Sequence, residues 1–162
     1  MSKKKYENFT LSLALFDALP VIFFGVTMII TASKFKSGLF IAGAITAAIA
    51  GALKVLWKII LAATKKDISI LNKQMRVLMP IGFIMIIIGA VTGRGAFDFS
   101  LFFHRATQIP NIIFFIITII GMILMSVFAT KLDQTKAKSN WTEQITNAVA
   151  QLSLMIGMII TL

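Results

Sequence analysis

The chain contains no cysteine. That excludes disulfides, thiolate metal sites and a quinone-linked dithiol centre. Its one histidine, His104, cannot build a histidine metal site alone. Acids are scarce, with 6 Asp and Glu against 16 Lys and Arg. They form no acidic metal motif and no His–Asp cluster, and no Ser–Lys dyad lies at matched depth. No Gly-rich phosphate loop and no RNA-binding aromatic motif occurs. The formal net charge of +10 points to nucleic acid in a soluble protein. Here the basic residues lie between apolar runs, so the expected partner is a bilayer containing anionic lipid, not nucleic acid. No metal or other cofactor is expected. Nor is a cleaved leader, because Ser2-Lys3-Lys4-Lys5 precedes an apolar run too long for one.

What the chain has instead is apolar length. Hydrophobic residues make up 58%, above the near-half typical of soluble domains. Three runs of roughly 20 residues carry no charge, long enough to cross a bilayer as helices. The expected fold is an all-α polytopic transmembrane bundle, a single membrane domain with spans near 9–33, 38–64, 75–92, 110–130 and 141–162. A break at Gly93-Arg94-Gly95 and a phenylalanine-rich connector at 96–109 separate spans three and four. That connector reads as an interfacial or re-entrant segment. Pro110 suits the first turn of span four.

Basic residues orient the spans. With the N-terminus cytoplasmic, inside segments hold Lys3, Lys4, Lys5, Lys65, Lys66, Lys73, Arg76, Lys131, Lys136 and Lys138, and outside segments hold Lys34, Lys36, Arg94 and Arg105. The imbalance favours N-inside and C-outside.

The second span is the informative one. Gly43, Ala47 and Gly51 form a small-residue row, with Ala44, Ala48 and Ala52 beside it, and such rows let helices approach closely in lipid. Lys54 and Lys58 continue the first row, so they point toward other helices. Counted from Phe9, Asp17 lies roughly 12 Å into span one, and Lys54 lies about 10 Å from Leu61 in span two. Asp17 and Lys54 are therefore the expected pair, with Lys58 snorkelling to the headgroups. Pro20 frees a carbonyl near Phe16. In span five, Glu143, Asn147 and Gln151 share a face at i, i+4 and i+8. Asn140 and Glu143 also read as a capping box that starts this span.

The expected function is to bind or translocate a small polar or ionic solute. Asp17, Lys54 and Lys58 supply charge to the pocket, and Glu143, Asn147 and Gln151 complete it. Two alternatives stay open. One is a non-transporting subunit that assembles with a membrane-protein partner. The other is a membrane enzyme acting on a lipid or isoprenoid. Five spans enclose little volume alone, which makes a homo-oligomer plausible.

Overall fold

The computed structural model describes residues 10–93, 97–133 and 136–162. The basic arm at 3–5, Phe9, Arg94 and Gly95 fall outside them. The described residues form helices α1 (Leu11–Phe16), α2 (Ala18–Phe35), α3 (Gly38–Thr64), α4 (Ser69–Lys73), α5 (Met75–Thr92), α6 (Phe99–Ala106), α7 (Asn111–Lys131) and α8 (Ala137–Thr161). Helices α1 and α2 meet at Asp17, and α4 and α5 meet at Gln74, so each pair runs as one rod. Five rods are long and apolar enough to cross a membrane: Leu11–Phe35, Gly38–Thr64, Ser69–Thr92, Asn111–Phe128 and Ala137–Thr161. Their outward faces are apolar. Ile22, Ile29, Ile87, Ile119 and Ile123 are each more than half exposed, as expected of lipid-facing side chains. The chain is a polytopic helical membrane protein.

Local sequence explains most boundaries. Thr10 caps α1 by accepting a hydrogen bond from the Leu13 N–H at 3.3 Å. Pro20 lacks the N–H that would bond the Phe16 carbonyl, and the helix breaks there, at Asp17. Lys36 adopts a left-handed φ of 50° and ends α2. Ser37 then caps α3 through the Phe40 N–H, so spans one and two form a tight hairpin. The rod of span three starts at Ser69, earlier than its apolar run. Pro110 sits at the N-cap of α7, one position before the first turn. Span five also starts early. Its N-cap is Lys136, and Asn140 lies buried one turn inside. The expected Asn140–Glu143 capping box is therefore corrected, because Ala137 and its neighbours are compatible with helix and extend it backwards.

The helices pack in the order α5, α3, α1–α2, α8, α7. The α3–α5 seam is a backbone-to-backbone contact. A Cβ on Gly82 would lie 2.8 Å from the Ala47 nitrogen and 2.9 Å from the Gly43 oxygen. The expected packing row is thus split: Gly43 and Ala47 meet α5, whereas Gly51 meets Val21 of α2. The second row of Ala44, Ala48 and Ala52 lines an apolar groove of about 600 Å³ between α2 and α3. At the α7–α8 seam, the Thr118 hydroxyl donates to the Ala150 carbonyl at 3.3 Å, and Gly121 leaves room for Ala150.

The ends of the bundle differ chemically. One carries Lys65, Lys66, Lys131, Lys136 and Lys138; we call it the basic end. The other carries an aromatic cluster, in which Phe35 stacks on Phe40 and Phe97 at 4.9 and 4.3 Å between ring centroids. Phe97 contacts Phe99 and Phe102 of α6, which docks this short helix between spans three and four. Phe103 points outward.

Near the basic end, Trp57 is buried and its indole N–H donates to the Asp67 carboxylate at 2.9 Å. Trp57→Phe keeps an aromatic ring and deletes the donor. It is expected to cost about 1 kcal/mol, measured as a loss of stability in detergent; an unchanged stability would show that this bond contributes nothing.

Candidate functional site

The five rods surround a polar cavity of about 300 Å³. Asp17, Lys54, Lys58, Glu143, Asn147 and Gln151 all line it, so residues from spans one, two and five converge at one level. Three elements place them. The break at Asp17 sets its carboxylate against α3. The Gly51–Val21 approach holds α2 close enough for that contact. Helix α8 packs against α2 and presents its polar stripe from the opposite wall.

The ion pair differs from the expected one. Asp17 Oδ2 lies 2.7 Å from Lys58 Nζ, and both side chains are 9% exposed. Lys58 does not snorkel; it is the partner. Lys54 sits one turn further from the basic end, half-buried, with no ion pair or hydrogen bond to a described residue. The physical reason is register. Asp17 is six residues past Leu11, and Lys58 is six before Thr64. Each is roughly 9 Å from its helix end. Ending span two at Leu61 shifts that count by nearly a turn and selects Lys54.

An unpaired charge inside a span costs on the order of 2.5–3.5 kcal/mol on insertion scales. Lys58 avoids that cost through Asp17. Lys54 reduces it only by facing the cavity instead of acyl chains. Glu143 lines the same cavity, half-buried.

The sequence reading missed Gln144. It is 6% exposed, lines the cavity, and its Oε1 has no hydrogen-bond partner among the described residues. The Gln151 Oε1 is buried and unsatisfied in the same way. The signal was present, since Gln144, Asn147 and Gln151 follow a 3–4 spacing, which tracks one helix face better than steps of four. A buried amide oxygen without a partner costs about 1–3 kcal/mol, so two in one cavity form an acceptor surface that calls for donors.

The remaining wall is apolar and soft. Phe24 and Phe83 line it, and Met75, Met79, Met122 and Met125 rim the gap where α5 faces α7. Those two helices do not pack along their lengths. Among the described residues no group of three or more His, Asp and Glu is placed to hold a metal ion. His104 is exposed on α6, bonded to Gln108 at 3.0 Å, and lies apart from the cavity.

The arrangement offers the Lys54 ammonium and the Glu143 carboxylate, one neutralised ion pair and two amide acceptors inside a membrane bundle. Comparison with protein-family models, curated proteins and solved structures finds no match to this chain.

Proposed function

We propose that the protein binds or translocates a small polar solute through this cavity. The solute brings a negative charge to Lys54 and N–H or O–H donors to Gln144 and Gln151. Asn147 and Glu143 complete its surroundings, and the Asp17–Lys58 pair forms the floor. The observation that carries the reading is the buried Gln144 Oε1, without a hydrogen-bond partner among the described residues, in the same cavity as Lys54. A structural core would fill that position with an apolar side chain. The excess of basic residues at one end supports a cytoplasmic N-terminus; the cavity then lies in the cytoplasmic half.

Gln144→Leu separates function from architecture. In solute-free protein it removes an unsatisfied buried group, so stability is expected to rise by about 1 kcal/mol. A panel of amino acids, small carboxylic acids and hydroxy acids is screened by thermal shift in detergent. At least one class is expected to stabilise the wild type and to leave Gln144→Leu unmoved. Hits are then tested for uptake into liposomes. The reading fails if no class shifts the wild type, or if Gln144→Leu destabilises the empty protein.

A further inference from the structure

A second cavity of about 400 Å³ adjoins the first and shares Lys54, Met75 and Met79 with it. Its other walls are Asn72, Arg76 and Pro80. Two cations line it and no acid does. Neither cation is spent elsewhere, for Lys54 and Arg76 make no ion pair or hydrogen bond with a described residue. Asn72 adds an amide capable of donating. The cavity therefore presents two positive charges and amide hydrogens around a hollow with an apolar Met75–Met79–Pro80 side. That is the donor set for a tetrahedral oxyanion, and a guanidinium is the side chain best matched to phosphate.

Position narrows the ligand. Arg76 lies roughly 10 Å and Lys54 roughly 15 Å along their helices from the basic end. Long cationic side chains at such depths reach back toward the headgroup layer. Val77 and Ile81, beside Arg76 and Pro80 on α5, are exposed apolar residues, so the hollow opens next to the lipid-facing surface.

We propose that Lys54, Asn72 and Arg76 form a binding site for a phosphate group, carried by an anionic lipid or by a phosphorylated solute. Lys54 is shared with the polar cavity, whereas Arg76 and Asn72 do not line it, so changes at Arg76 and Asn72 test this site separately from solute binding there.

The test compares wild type, Arg76→Gln and Arg76→Lys. Arg76 is exposed and makes no ion pair or hydrogen bond with a described residue, and Asn72→Leu serves as a second, uncharged change. Each protein is equilibrated with phosphatidylglycerol or phosphatidylcholine, and retained lipid is counted by native mass spectrometry. Each is also titrated with inorganic phosphate and glycerol 3-phosphate in a zwitterionic detergent, read by thermal shift. Preferential retention of phosphatidylglycerol, reduced about tenfold in Arg76→Gln and kept in part by Arg76→Lys, supports the site with a lipid ligand. A phosphate-induced shift that disappears in Arg76→Gln, without lipid preference, supports the site with a soluble ligand. The proposal is overturned if both arms are silent, or if Arg76→Gln and Asn72→Leu respond as the wild type does.

Discussion

Asp17→Asn and Lys58→Met are each expected to lower stability by about 3–5 kcal/mol, and the double variant is expected to recover much of that loss. Each single change strands a charge that is otherwise neutralised at 2.7 Å inside the bundle. The double change leaves neither charge. The measurement is a double-mutant cycle on unfolding in mixed micelles or by steric trapping. Lys54→Met is the control. Lys54 makes no ion pair with Asp17, so its change should add to Asp17→Asn within about 0.5 kcal/mol. A cycle in which Asp17 couples to Lys54 and not to Lys58 would overturn the assignment.

Gly82→Leu is expected to open the α3–α5 seam, with a loss of about 3 kcal/mol or more. A Cβ there meets backbone atoms of Ala47 and Gly43 below 3 Å, and backbone cannot rotate away as a side-chain tip can. Gly89, whose Cβ would press on the Phe40 backbone, repeats the constraint two turns along α5. The contrast is Gly25, where an added Cβ meets nothing within 4 Å. Gly25→Ala is expected to raise stability by about 0.5–1 kcal/mol, as helix propensity dictates. Thermal unfolding of both variants in one detergent decides the matter. If Gly82→Leu is tolerated as well as Gly25→Ala, the two backbones do not meet as described.

Much of this was legible in the chain. Apolar runs gave five spans because crossing a bilayer imposes length and composition without reference to packing. The convergence of Asp17, Lys54, Lys58, Glu143, Asn147 and Gln151 followed from counting residues along helices. The exact ion pair did not. Pairing depends on the end from which depth is counted, and a count from Leu61 leaves out Ala62, Ala63 and Thr64, the last residues of α3. Gln144 escaped because a spacing of four drifts off a helix face that a 3–4 alternation follows. The Lys54–Asn72–Arg76 hollow was out of reach, since it depends on how α3 and α5 are juxtaposed. Capping signals misled at Asn140, where a plausible motif lies within an already formed helix.

The four methionines between α5 and α7 have a mechanical consequence. A thioether side chain is unbranched and turns about three bonds. Widening that rim therefore requires torsional hops and no displacement of a helix axis. Such side-chain hops are quicker than the rocking of whole rods, which takes about microseconds to milliseconds.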